Sequence, residues 1–145
     1  MSTTRRRILK AGAALAVVRP ALAQGTGELA AAVARFANGQ PVQLGRVQLE
    51  IASLVDNGNV VPMQVVVASP MTPADHVQEI AVFNEKNPQR EVLRCTLGPR
   101  AGKAEVATRI RLATSQQLVA LARMNDGSIW SHAVDVIVVL AACIE

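Results

Sequence analysis

Aromatic side chains are nearly absent from this chain. Its 145 residues contain one tryptophan, two phenylalanines and no tyrosine, so that Phe36, Phe83 and Trp130 are the complete set. Proteins that bind single-stranded nucleic acids stack successive bases on aromatic rings, and three dispersed rings do not supply such a row. The composition therefore argues against a stacking surface for bases.

Basic charge is also lacking once the first residues are set aside. The formal net charge is +4, from fifteen basic and eleven acidic residues. Five of the basic residues lie in the first 23 positions and every acidic residue lies after them, so the remainder has ten basic against eleven acidic side chains. A domain of this charge has no basic excess with which to bind nucleic acid.

Residues at the spacing of a metal site or a catalytic site are missing as well. His76 and His132 are 56 positions apart, and neither has a cysteine or carboxylate at ligand spacing. The sequence contains no glycine-rich phosphate loop, no paired-carboxylate motif and no recognisable Ser/His/Asp arrangement. We therefore expect no metal and no enzyme active site, and interpret His76 as a hydrogen-bonded structural residue.

The first 23 residues have the pattern of an export signal. An arginine cluster at 5–7 is followed by Ile8-Leu9-Lys10, an apolar run at 11–18 and the small-residue motif Ala21-Leu22-Ala23. This is the pattern of a twin-arginine signal peptide cleaved between Ala23 and Gln24. The apolar run has about eight residues, whereas a membrane span needs roughly 20. We expect a periplasmic protein without a membrane anchor.

Residues 24–40 are predicted to form a linker and one short amphipathic helix. Leu29, Val33 and Phe36 recur at the spacing of one helical face, and Gly39 stands where a helix commonly ends. The helix is expected over residues 28–38.

Residues 41–140 are predicted to form a β-domain. Alternation such as that of Val47, Leu49 and Ile51 indicates strands with one buried face. Asn57-Gly58 and Asp126-Gly127 predict hairpin turns, because glycine and asparagine accept positive φ. The fold class is therefore all-β, an immunoglobulin-like antiparallel β-sandwich of about seven strands with one short N-terminal helix and a C-terminal cysteine arm. The strands are expected at 46–51, 60–68, 76–83, 91–97, 104–112, 117–122 and 129–140.

The end of the last predicted strand is apolar on both faces. Residues 136–140 read VIVVL, without a polar residue at alternate positions. Such a strand is expected to be covered on both sides. One cover is the core of the domain, and the other is expected to be a partner protein.

The two cysteines differ in their sequence context. Cys95 alternates in phase with Leu93 and Leu97, which predicts an inert core cysteine. Cys143 lies in the tail 141–145, where a thiolate can form and break bonds to another sulfur atom. A disulfide between Cys95 and Cys143, or a chance intermolecular disulfide through Cys143, remains an alternative.

Several segments together resemble the SoxY family, the sulfur-carrier subunit of the bacterial thiosulfate-oxidising (Sox) system. The resemblance extends over most of the chain after the leader and includes a cysteine near the C-terminus. Its segments are DNGNVVP at 56–62, SPMT at 69–72, DHV at 75–77, FNEKNP at 83–88, AEV at 104–106, TRIRL at 108–112 and MNDGS at 124–128 with Trp130.

The resemblance implies a carrier protein that catalyses nothing itself. It implies covalently bound sulfur on Cys143 as the only prosthetic chemistry, and a heterodimer with a SoxZ-like subunit. It further implies transient docking to a haem-containing thiosulfate-conjugating enzyme, a sulfate-releasing hydrolase and a sulfur dehydrogenase. An extended tail would let Cys143, three residues past Leu140, reach roughly 10 Å from the sheet into these enzymes.

The tail itself departs from the family pattern. Members typically end in a Gly-Gly-Cys-Gly-Gly type of sequence, whereas Cys143 is flanked by Ala141, Ala142, Ile144 and Glu145. Alanine restricts the backbone, and Ile144 adds bulk beside the sulfur. Glu145 and the terminal carboxylate should raise the pKa of the Cys143 thiol and repel anions. Three alternatives follow: an ordinary carrier, a paralogue with another sulfur substrate or enzyme, and an interaction module whose carrier role is lost.

Overall fold

The computed structural model describes residues 27–142, which form one helix and nine strands. The predicted signal peptide, its cleavage site and residues 143–145 of the tail lie outside this range. None of the described helices is long and apolar enough to cross a membrane. The elements are α1 (Gly27–Ala37), β1 (Val42–Leu44), β2 (Val47–Ile51), β3 (Leu54–Asn57), β4 (Val61–Val67), β5 (Val77–Asn84), β6 (Glu91–Thr96), β7 (Glu105–Ile110), β8 (Gln116–Met124) and β9 (Ile129–Leu140).

Two sheets pack face to face, which confirms the immunoglobulin-like β-sandwich. The larger sheet has the order β1-β9-β8-β5-β6, with β3 also paired to β9, and the smaller has the order β2-β4-β7. Alternate residues of β4 and β5 point into the space between the sheets and form the main core, together with residues from the other strands. Within it Val65, Ile80 and Leu118 are completely buried.

A second apolar cluster lies on the opposite face of the larger sheet. Helix α1 covers that face and buries Leu29, Val33 and Phe36, as the periodicity predicted. The rings of Phe36 and Phe83 meet edge to face with their centroids 6.2 Å apart. Strand β8 therefore lies between two apolar layers, and this explains why almost every one of its residues is buried.

Two short strands make the strand count and the strand directions differ from the expectation. Seven strands were predicted, and the two additional ones are β1 and β3, with three and four residues. Both pair with β9 in the parallel direction, β1 with its beginning and β3 with its end. Such short segments show no periodicity, and they become strands because the long edge of β9 offers them hydrogen-bond partners.

The turn predictions had different outcomes. At residues 125–128 the chain makes the predicted hairpin between β8 and β9, with Gly127 at a φ of +85°. The hairpin predicted at 56–59 is wrong. Strands β2 and β4 are antiparallel neighbours, but between them the chain crosses to the larger sheet and forms β3. Neither Asn57 nor Gly58 has a positive φ.

Cys95 lies on the predicted face but is not enclosed. Its register partner is Ile80, a main-core residue, and directly opposed residues of an antiparallel pair point to the same face. Strand β6 is the outer strand of its sheet, so Cys95 remains only half-buried. The prediction of an inert core cysteine was therefore wrong about its burial. The proposed alternative disulfide involves Cys143, which lies outside the described residues.

Candidate functional site

The predicted tail begins at one end of the sandwich. Ala141 is exposed, whereas Ala142 is buried with 8% of its surface accessible. Cys143, Ile144 and Glu145 lie outside the described residues, so their assignment as thiol and arm stays a prediction. The structure does describe the place from which they extend, which we call the tail root and define as Gly58, Leu112, Leu140 and Ala142.

Three backbone hydrogen bonds join the members of the tail root. The N–H of Gly58 donates to the carbonyl of Leu140 over 2.8 Å, and the N–H of Leu112 donates to the carbonyl of Gly58, also over 2.8 Å. The N–H of Ala142 donates to the carbonyl of Leu112 over 3.1 Å. The residue directly before Cys143 is thus bonded to the segment that follows β7.

Gly58 leaves no space for a side chain at this point. A Cβ atom on Gly58 would lie 2.4 Å from the Leu112 oxygen, 3.0 Å from the Ala142 nitrogen and 3.1 Å from a methyl group of Val138. The first of these distances is far inside van der Waals contact. Glycine is therefore required here for close backbone approach, and not for the positive φ that the Asn-Gly pair suggested.

The side chain of Asn87 holds the segment around Leu112 from both sides. Its amide nitrogen donates to the carbonyl of Arg111 over 2.8 Å, and its oxygen accepts from the N–H of Ala113 over 2.9 Å. The buried Gln116 donates to the same oxygen over 2.7 Å. Asn84, fully buried, in turn accepts a hydrogen bond from the N–H of Asn87. This network gives Leu112 a defined backbone orientation.

An exposed apolar patch lies on the outer face of the larger sheet. We define it as Leu54, Ile137 and Val139, which are 59%, 59% and 62% exposed. Leu54 and Ile137 are register partners in β3 and β9. Helix α1 packs on the same face but reaches only the first half of β9, around Ile129. Residues 136–140 therefore have a second apolar face that nothing in the described chain covers, and its predicted cover by a partner protein stays a prediction.

The patch adjoins the tail root. Gly58 lies directly after β3 and is bonded to Leu140 at the end of β9. Leu140 and Val60 at this end are 64% and 58% exposed. A protein that covered the patch would therefore lie next to the start of the tail.

The histidines take structural positions in the described chain. A ring nitrogen of His76, Nδ1, lies 3.1 Å from the carbonyl of Thr72 within its loop, in agreement with the predicted hydrogen bond. Nδ1 of His132 accepts a hydrogen bond from the N–H of Leu49 over 2.9 Å, which links the two sheets. Among residues 27–142, no three His, Cys, Asp or Glu side chains are grouped closely enough to hold a metal ion.

Sequence reasoning did not assign Gly58 and Leu112 of the tail root, or the neighbouring Asn87, to the site. Gly58 was assigned to a turn, Leu112 to the end of a predicted strand, and Asn87 to the segment between two predicted strands. A signal was nevertheless present, since all three lie in segments that carried the family resemblance, at 56–62, 83–88 and 108–112. These segments are far apart in the sequence, and the fold brings them together.

Comparison with families and solved structures gives consistent results. A family model described as sulfur oxidation protein SoxY matches residues 33–143. The solved structure of the sulfur carrier protein SoxY from Chlorobium limicola f thiosulfatophilum is 26% identical, with a TM-score of 0.64, over 76% of this chain and 94% of that chain. No curated protein gives a significant match.

Superoxide reductases share the fold at lower identity. The neelaredoxin of Ignicoccus hospitalis is 19% identical with a TM-score of 0.58, over 65% of this chain and 80% of that chain. A protein from Thermotoga maritima described as a putative superoxide reductase is 23% identical with a TM-score of 0.55, over 71% and 89% of the two chains. At these identities the similarity concerns the sandwich alone.

Proposed function

This chain belongs to the SoxY family of sulfur oxidation proteins, and from this membership we propose that it is a periplasmic covalent sulfur carrier of thiosulfate oxidation with Cys143 as the attachment site. The observation that carries the proposal is that the family match extends to residue 143 itself. The likeness to a solved SoxY sulfur carrier over 94% of that chain supports it. In this role the domain is a carrier and not an enzyme.

The chemistry requires a thiol and enzymes that act on it. Joining the outer sulfur of thiosulfate to the Cys143 sulfur forms an S–S bond, releases the thiol proton and transfers an electron pair to the haem enzyme. Water then cleaves the bond between the outer sulfur and the sulfonate group, releasing sulfate and leaving a persulfide on Cys143. A sulfur dehydrogenase oxidises that remaining sulfur. Each step leaves the carrier's own S–C bond intact.

We propose that a SoxZ-like subunit covers the apolar patch. Leu54, Ile137 and Val139 form an exposed apolar surface on regular strands, and such surfaces commonly bind other proteins. The family relationship supplies the identity of the partner. With the subunit bound there, the tail root would lie at the border of the heterodimer, where successive enzymes can approach it.

A second candidate function is an immunoglobulin-like SoxZ-binding module that carries no sulfur. Its support is the tail sequence, in which alanine, isoleucine and glutamate stand around Cys143. The burial of Ala142 adds to that support, because it leaves the tail less free than an exposed glycine arm. In this alternative the patch and the partner remain, and the thiol is idle.

The test of sulfur carriage is the mass of the protein itself. The mature chain is isolated from cells growing on thiosulfate, and its intact mass is measured with and without reductant, followed by peptide mapping. We expect a sulfur-containing adduct on Cys143 that reductant removes. A Cys143→Ser variant should lose thiosulfate-dependent activity while it still binds the partner. Unmodified Cys143 beside a loaded glycine-flanked paralogue would favour the second candidate.

The partner surface is tested by a pair of matched substitutions. Ile137→Asp with Val139→Asp places charge on the patch and should abolish heterodimer formation, measured by size-exclusion chromatography and light scattering. Leu44→Asp is the control, because Leu44 is equally exposed at 59% but lies at the other end of the sheet edge. Undiminished heterodimer formation by the double variant would exclude this face as the interface.

A further inference from the structure

We propose that the backbone of Leu112, together with the residues that hold it, binds the tail at Ala142; we call this arrangement the cradle. In it Gly58 and Asn87 are positioning residues that determine where the Cys143 thiol is presented. The functional meaning of this placement rests on the proposed carrier role. The cradle itself is a structural property of residues 58, 87, 111–113 and 142, and it is measurable whether or not sulfur is carried.

The first step concerns the length of the free tail. Leu140 and Ala142 are both hydrogen-bonded in the tail root, and Ala142 is buried. The described chain is therefore held beyond Leu140, as far as Ala142. One trans peptide separates consecutive Cα atoms by about 3.8 Å. The reach of roughly 10 Å inferred from the sequence shrinks to about one residue plus the side chain.

The second step concerns how the cradle keeps its shape. The N–H and carbonyl of Leu112 point to Gly58 and Ala142, respectively. Leu112 keeps this orientation only if the residues on either side of it are fixed. The Asn87 side chain is hydrogen-bonded to both of these residues, Arg111 and Ala113. Asn87 is itself 8% exposed and is bonded to Asn84. The network thus holds the acceptor for the Ala142 N–H in place.

The third step concerns the tail-facing side of the cradle. Any side chain on Gly58 would strike the Leu112 oxygen, which is the atom that accepts from Ala142. The same side chain would lie 3.0 Å from the Ala142 nitrogen. Gly58 therefore affects the tail by its lack of a side chain, which lets three chain segments meet.

A tail held at Ala142 imposes a requirement on the enzymes that would load it. They must approach the end of the sandwich, beside Val60 and Leu140, because the thiol cannot enter a deep channel while Ala142 stays bonded. Alternatively, they release the Ala142 hydrogen bond on docking and draw the tail out. In both cases the hydrogen bond between Ala142 and Leu112 influences which enzymes can act on this carrier.

The experiment places a spin label on Cys143 of the mature chain. Cys95→Ser is introduced first, so that the label attaches at one position, and electron paramagnetic resonance measures the mobility of the label. We expect restricted mobility in the parent and a mobile label in Gly58→Ala. The matched control is Gly98→Ala, because a Cβ on Gly98 meets nothing within 4 Å and the φ of Gly98 is not positive.

Hydrogen exchange gives a second measurement on the same variants. The Ala142 amide should exchange roughly two- to tenfold faster in Gly58→Ala and in Asn87→Ala, the factor that loss of one hydrogen bond produces in a local equilibrium. Gly98→Ala should leave that rate unchanged. Equal Ala142 exchange rates in all four proteins would overturn the proposal.

A further variant covers the case in which Gly58→Ala does not fold. Ala142→Pro removes the donor to Leu112 at a position beyond the last strand and should free the label without affecting the sandwich. A label as restricted as in the parent would also overturn the cradle.

Sulfur carriage is measured separately, by the mass of the peptide that contains Cys143. If the label is restricted in the parent but Cys143 carries no sulfur adduct, the carrier role alone is rejected. If Cys143 carries an adduct but the label is equally mobile in the parent and in the variants, the cradle alone is rejected.

Discussion

At the scale of the residue, an exposed ion pair lowers the pKa of one carboxyl group, that of Glu91. Arg94 donates to both carboxylate oxygens of Glu91, at 3.0 and 2.8 Å, and it also pairs with Glu79. The hydrogen bonds from Arg94 hold the pKa of Glu91 below its ordinary value of 4.5. Because the Arg94 and Glu91 side chains are 44% and 39% exposed, water screens the pair.

A pH-dependent effect on stability follows for Glu91. A lowered pKa adds stability above the ordinary value, and this contribution disappears as the pH falls through the lowered value. Glu91→Gln should therefore cost less than about 1 kcal/mol at pH 7 and nothing at low pH, measured by urea unfolding across that range. Glu50→Gln is the control, since Glu50 is exposed and makes no ion pair within the described chain. A cost that stays constant as the pH falls until unfolding begins would contradict the assignment.

At the scale of the element, Phe36 joins helix α1 to the sandwich by several contacts. Phe36 is 4% exposed, contacts Phe83 edge to face, and has the guanidinium groups of Arg123 and Arg94 at 4.8 and 5.6 Å from its centroid. Arg123 also donates to the Phe36 carbonyl. Aromatic packing and cation–π contacts therefore act on the same side chain.

Removal of that ring should detach the helix without unfolding the sheets. Phe36→Ala is expected to cost about 3 kcal/mol, because it removes a buried ring together with its contacts to Phe83 and the two arginines. The measurement is urea unfolding, with circular dichroism to show that the β signal remains. The neighbouring Arg35→Ala, at an exposed helix position, should change stability by no more than about 0.5 kcal/mol. Equal costs for the two variants would show that the helix is not held by Phe36.

At the scale of the whole molecule, two apolar layers share the larger sheet. The main core lies between the sheets and the second cluster between that sheet and α1. The hydrogen bond from Leu49 to His132 joins the sheets across the main core. Strands β5 and β8 contribute to both layers and are the most enclosed elements.

The two layers should open at different free energies. Amides of α1 are expected to exchange through a local opening, whereas those of β5 and β8 exchange through global unfolding. Native-state hydrogen exchange in increasing urea distinguishes the two, because global opening depends steeply on urea and local opening does not. A single opening free energy for helix and strands would instead show one cooperative unit.

Many elements of the fold were predictable because their patterns are local. The helix face of Leu29, Val33 and Phe36, the alternation of β2 and β4, and the Gly127 hairpin depend on spacing and backbone preference within a few residues. The strands β1 and β3 were missed because four residues carry no period. The burial of Cys95 was misjudged because alternation gives the face of a residue and not whether its strand is at the edge of a sheet.

The sequence by itself determined the fold class, the family and the second apolar face of residues 136–140, since each depends on composition or short-range order. Only the tertiary structure decided what Gly58, Asn87 and Leu112 do, because they meet through long-range contacts that no local pattern records. It also showed that the described chain is held as far as Ala142. Close backbone approach between distant segments is a property of packing, and it moves the expected start of the tail from Leu140 to Ala142.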